Sequence, residues 1–127
     1  TPLYSSAASD VYKRQVPMIT RYALFEGSVK PGKTDAFRAS VMERLVPLWK
    51  QFAGAEEVRV MFGEERDEGA PEFPLILAIS YPDMAAMDKA LQSPARAQSR
   101  EVTGEIVAEC FDGRIHHHVT LAHSFAV

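Results

Sequence analysis

The stretch Arg114-Ile115-His116-His117-His118 gathers three of the chain's four histidines, and His123 follows close behind. Imidazoles titrate near neutral pH, so such a group can move protons or hold a metal. On an extended strand alternate residues face opposite ways. His116 and His118 then share a face with Arg114 and Thr120, and His117 shares the other with Ile115, Val119 and Leu121. The second face is the more apolar and is expected to meet the helices. His116 and His118 are therefore the candidate catalytic residues, lining a ligand cleft from which a neutral imidazole takes a proton. The competing reading leaves these histidines on a solvated strand face or in a polar pocket. No metal centre is expected. There is no Cys-x-x-Cys, no His-Glu-x-x-His and no acidic partner at suitable spacing.

Four further residues form the candidate ligand-binding set: Arg21, Tyr22, Arg59 and Tyr81. A charged Arg21 on a central strand is costly unless paired or near water. It can anchor a carboxylate or phenolate close to the histidines, or it can pair with a glutamate. Its face is left open, because Met18, Tyr22 and Leu24 make the opposite face the more continuous. Tyr81 can offer a hydroxyl. Trp49 and Phe37 read as core. Cys110 reads as a small buried apolar group, since nothing near it in sequence lowers a thiol pKa. Glu64, Glu65, Asp67 and Glu68 make a solvated loop without the spacing of a calcium site. There is no phosphate loop, nucleophile elbow or dinucleotide fingerprint, and no cofactor is expected.

The elements that must position these residues follow from periodicity. Met18 to Phe25 is rich in β-branched and aromatic residues and reads as a strand, broken by Gly27. Lys33 to Phe52 reads as a helix capped by Thr34 or Asp35, with Phe37, Val41, Leu45, Leu48, Trp49 and Phe52 as its stripe. Pro47 predicts a kink there, and Gly54 a stop. Val58 to Phe62 and Pro74 to Tyr81 read as antiparallel strands. The run Leu75 to Ile79 suits burial on both faces. Asp83 caps a short helix, and Ser93-Pro94 starts a longer one running to about Phe111. Asp112-Gly113 stops it, and Arg114 to Leu121 is the last strand. Strand, helix, strand, strand, helix, strand is the α+β ferredoxin-like order, βαββαβ with a four-stranded antiparallel sheet. Helices can cover one face only, so a homodimer is expected to cover the other.

The 127 residues fit one domain, with 46% apolar and 24% charged residues. A formal net charge of -3 argues against nucleic acid. No apolar run suits a membrane span. A single cysteine favours a reducing, cytoplasmic setting. Residues 1–16 are expected to be a disordered, dispensable tail, and 17–127 the domain. Ser5 to Gln15 resembles a translated sequencing-adapter remnant found in assemblies of environmental DNA.

Several motifs occur together in order: Lys30-Pro31-Gly32, Leu48-Trp49-Lys50-Gln51-Phe52-Ala53-Gly54-Ala55, Tyr81-Pro82-Asp83, Ser93-Pro94 and Cys110-Phe111-Asp112-Gly113. Across Met18 to Leu121 the chain resembles the EthD-like branch of the dimeric α/β-barrel superfamily. That branch is named for a role accompanying ethyl tert-butyl ether degradation in bacteria, beside a cytochrome P450 system. The resemblance implies a cleft for a small, partly apolar organic ligand. Similar barrels include cofactor-free monooxygenases, polyketide cyclases and lactone isomerases. Two functions are therefore expected: cofactor-independent acid-base or oxidative chemistry, or accessory binding of an intermediate for a partner oxygenase.

Overall fold

The computed structural model describes residues 16–127, so the expected tail lies almost wholly outside the described residues. Strand β1 is Met18–Val29. The first helical region has three parts: α1 (Thr34–Ser40), a π-helical turn (Val41–Leu45) and α2 (Val46–Trp49). Strands β2 (Glu57–Phe62) and β3 (Leu75–Tyr81) follow. Helix α3 (Met84–Leu91), helix α4 (Pro94–Cys110) and strand β4 (Phe111–Ala122) complete the chain. The sheet order is β2-β3-β1-β4, and every pairing is antiparallel. This is the ferredoxin-like α+β arrangement, with helices on one face of the sheet.

The apolar stripe on the first helical region explains its π turn. Phe37, Val41, Leu45 and Trp49 are all buried, at strides of four residues. An α-helix turns every 3.6 residues, so such a stripe drifts around it. A wider turn brings the stripe back towards the sheet. The Val46 N–H accordingly bonds the Val41 carbonyl, five residues back. Pro47 follows at once, where a tighter turn would drive its ring into the Glu43 carbonyl. The expected kink is thus resolved as a π turn. Neither Thr34 nor Asp35 caps this helix; Lys33 holds the cap position without a side-chain bond.

Other caps form as the sequence implies. The Ala86 N–H donates to Asp83 Oδ1 at 2.8 Å, and the Arg96 N–H to Ser93 Oγ at 3.3 Å. Asp83→Ala should cost about 1 kcal/mol, read as a lower urea midpoint at unchanged slope. An unchanged midpoint would mean that the bond does not form in solution.

The first and last strands run further than their breakers suggest. Gly27 and Gly113 do not end their elements. They face each other across the β1–β4 ladder, which continues to Val29 and Phe111. There the rings of Phe25, Phe37 and Phe111 meet, with centroids 5.8–6.5 Å apart. On the inner face Ala23, Leu77, Ile79 and Tyr81 are buried under the helices. On the outer face Tyr22, Leu24, Met61 and Ile76 are only half-buried, and no helix lies over them. Among the described residues no helix is long and apolar enough to cross a membrane.

Candidate functional site

Between helix α4, the end of α2 and the inner face of the sheet lies a cavity of about 460 Å³. Its apolar wall includes Phe25, Trp49, Phe52, Leu77 and Ile79. Its polar groups come from three strands and one helix. Arg21 stands on β1 opposite Ile79 and Val119. His117 stands on β4 opposite Ala23, so it shares the face of Arg21. Tyr81 ends β3 and is almost fully buried. Arg96 and Arg100 lie one turn apart on α4 and reach the same space.

The small residues of α4 make room for them. Ser99, Thr103 and Gly104 line the cavity, and a side chain built at Gly104 would meet nothing within 4 Å. The Ser99 hydroxyl turns back to the Arg96 carbonyl at 2.8 Å. Arg96 Nη1 donates to the Leu91 carbonyl at 3.2 Å, which fixes the root of its guanidinium.

The electrostatics of the cavity are one-sided. Among the described residues the ion pairs are Arg38–Glu64, Arg44–Glu105, Arg66–Glu72, Arg114–Glu26 and His116–Glu26. None includes Arg21, Arg96 or Arg100, and no carboxylate lines the cavity. Burial lowers the Arg21 pKa, and the neighbouring Arg96 charge lowers it further. Burial and then Arg100 lower that of Arg96. Burial raises the Tyr81 phenol against the pull of Arg21 and Arg96, so it stays a neutral donor. His117 is pushed down to about 4, first by burial, then by Arg21, Arg96, His116 and Arg100. At neutral pH the cavity therefore holds an uncharged imidazole, a phenol and guanidiniums without a counter-ion among the described residues. Such a set can bind an anion, accept a proton and stabilise the negative charge that results.

The structure divides the residues expected from the sequence. It brings Arg21 and Tyr81 together in the cavity, and among the described residues Arg21 has no glutamate partner. It places His116 and His118 on the outer face, with ring centroids 5.7 Å apart. Glu26 Oε1 lies 3.1 Å from His116 Nε2 and also accepts from Arg114 Nη2 at 3.2 Å. Tyr22 pairs with His118 on that face, and Tyr22 and Arg59 border a separate hollow of about 220 Å³. The placement of His116 and His118 in a cleft beside Arg21 is therefore corrected. The alternation along β4 does turn His117 towards the helices. The cleft, however, lies on the helix side, because small residues on α4 leave a gap there. Arg96, Arg100 and His117 are the site residues that sequence reasoning missed. Arginines four apart on a helix face otherwise made of Ser99, Thr103 and Gly104 were the available signal. Among the described residues no group of three or more histidines, cysteines and acids could hold a metal.

No family model matches this chain, and no curated protein does. Solved structures do. An ethyl tert-butyl ether degradation (EthD) family protein from Bacillus halodurans superposes with a TM-score of 0.62 at 17% identity, over 83% of this chain and 98% of its own. A dimeric ferredoxin-like protein of unknown function from Bacteroides fragilis gives 0.59 at 14% identity, over 83% and 96%. SnoaB, a cofactor-independent oxygenase from Streptomyces nogalater, gives 0.55 at 16% identity, over 83% and 92%. The EthD-like resemblance carried by the sequence motifs thus meets an EthD protein among the structural neighbours, and the chain has the ferredoxin-like fold that these proteins share.

Proposed function

We propose that this chain binds a small organic molecule in the cavity between helices and sheet and moves a proton on it without a cofactor. The observation that carries the reading is the company of His117. A neutral imidazole, the Tyr81 phenol and three guanidiniums unpaired among the described residues border one apolar-walled space. His117 would take a proton from an acidic C–H or O–H of the ligand. Arg21 and Arg96 would stabilise the anion left behind, and Tyr81 would donate to its oxygen. Returning the proton to another atom completes an isomerisation or ring closure and needs no oxidant. The fold likeness to a cofactor-independent oxygenase and to an EthD protein supports a small-molecule role.

One observation favours a second reading, in which the protein only holds an intermediate for a partner oxygenase. In the empty cavity His117 is a weak base, pushed down to about 4. Proton exchange separates the two. Ligands found by thermal-shift screening are incubated in heavy water and followed by NMR. The catalytic reading expects deuterium to enter an acidic C–H position, slowed about 100-fold or more by His117→Ala while binding persists. Binding without exchange would leave only the accessory role.

The uncovered outer face supports a homodimer with sheets face to face, as does the dimeric neighbour. Sedimentation at micromolar concentration should give about twice the 14.1 kDa chain mass. A clean monomer would remove that model.

A further inference from the structure

We infer that the occupant of the cavity is an organic anion with a single charged end on a flat apolar body, a ring-bearing carboxylate or enolate whose charge is paired by Arg21 and Arg96. The inference rests on the binding role proposed above and names the class of ligand.

Charge is the first argument. Arg21 and Arg96 are half-buried, act on each other as like charges and have no acidic partner among the described residues. Removing a cation from water without a partner is costly, and a second cation nearby adds to the cost. Nothing among the described residues offsets this. Tyr81 is held protonated by burial, and His117 supplies no negative charge. An anionic occupant removes the repulsion and satisfies both guanidiniums. Their planar forks suit the two oxygens of a carboxylate, or the conjugated oxygens of an enolate. Arg100 is exposed at the same opening. A free cation at the mouth raises the rate at which anions arrive.

The wall sets the rest of the ligand. Phe25, Trp49 and Phe52 offer aromatic surface, with Leu77 and Ile79 beside them. Aromatic walls favour a ring stacked or seated edge-on against them. A sugar phosphate or polyanion would leave its polar groups facing these rings without partners. The volume of about 460 Å³ admits one or two fused rings with their substituents.

The cavity is distinct from the histidine pair on the outer face. There Glu26 pairs with Arg114 and also meets His116, so that cluster offers no unpaired guanidinium.

Isothermal titration of the full chain near pH 7.5 tests the inference with two probes of equal shape, 1-naphthoate and its uncharged amide, 1-naphthamide. Naphthoate should bind at least about tenfold tighter than naphthamide. Arg21→Met and Arg96→Met should each weaken naphthoate about tenfold more than they weaken naphthamide. Arg66→Met, which removes an equal charge far from the cavity, should change neither. The comparison of probes on the unaltered chain needs no variant to fold. Equal affinity for both probes would overturn the charge assignment and leave the cavity a binding site. Binding of neither at millimolar concentration would overturn both that assignment and the binding role.

Discussion

Gly113→Val is expected to leave a chain with no cooperative unfolding transition, and Gly27→Val to do the same. The two glycines face each other across the β1–β4 ladder. A Cβ placed on Gly27 would collide with the Asp112 carbonyl oxygen and come within 2.7 Å of Gly113 Cα. One placed on Gly113 would collide with the Glu26 carbonyl oxygen and lie 2.8 Å from both Gly27 Cα and the Phe111 ring. Backbone atoms cannot rotate aside as a side chain can. Phe111 is 2% exposed and packed against Phe25 and Phe37, so it has no space to retreat into. Both glycines also have positive φ, +147° and +158°, which side-chain-bearing residues rarely adopt. Even Ala at either position should cost about 3 kcal/mol or more, a large part of the stability of a small domain. Gly32 makes the contrast. It too has positive φ, at +74°, but nothing lies within 4 Å of its would-be Cβ. Gly32→Ala should cost only about 1 kcal/mol. Equal urea midpoints for Gly113→Ala and Gly32→Ala would show that the strands are not this close.

The same glycine pair bears on function. It extends the ladder that sets Ala23 opposite His117. A slip of one residue along β4 would turn every side chain to the other face. His116 and His118 would then enter the cavity and His117 would leave it.

Element order, the caps at Asp83 and Ser93 and the alternation of β4 were all legible in the chain, because each depends on local chemistry. The ends of β1 and β4 were not. Glycine usually interrupts a strand, and only the partner strand reveals that Gly27 and Gly113 permit close approach instead. The inner face of β1 was also ambiguous. Met18, Tyr22 and Leu24 look more like core than Arg21 does. Yet Arg21 shares its side with Ala23 and Phe25, which are 7% and 3% exposed. Arg21 takes that side because it ends in a cavity and not in packed core. The cavity itself is a tertiary feature. It exists because α4 presents Ser99, Thr103 and Gly104 where a tight helix–sheet contact would need larger residues. Trp49 and Phe52 read as core and are buried, yet they also form the wall of the site. Burial and ligand contact are not alternatives at an apolar wall.

The affinity for 1-naphthoate is expected to rise as pH falls from about 7.5 to about 5.5, through His117. The groups facing this imidazole come from every surrounding element. They are Arg21 on β1, Tyr81 on β3, and Arg96 and Arg100 on α4, while His116, its chain neighbour, acts on it from the other face of β4. In the empty cavity burial and these cations hold it down to about 4. A carboxylate between Arg21 and Arg96 cancels much of their field and raises His117 part of the way from about 4 to its ordinary value of about 6.5, while burial still holds it down. The bound form then holds more protons than the free form between those two values, so binding takes up a proton and strengthens as pH falls. The chain without ligand behaves in the opposite sense. An unfolded His117 near 6.5 binds more protons than the folded one, so its contribution to stability is full above that pH and is lost as pH falls towards 4. Calorimetry near pH 5.5 in buffers of different ionisation heat should show proton uptake on binding. His117→Asn cannot titrate and should flatten the pH dependence. His116→Asn and His118→Asn lie on the far face and should preserve it. A flat profile in the unaltered chain, or a slope that survives in His117→Asn, would show that this imidazole is not coupled to the bound charge. A slope lost only with His116 or His118 would place the ligand on the outer face.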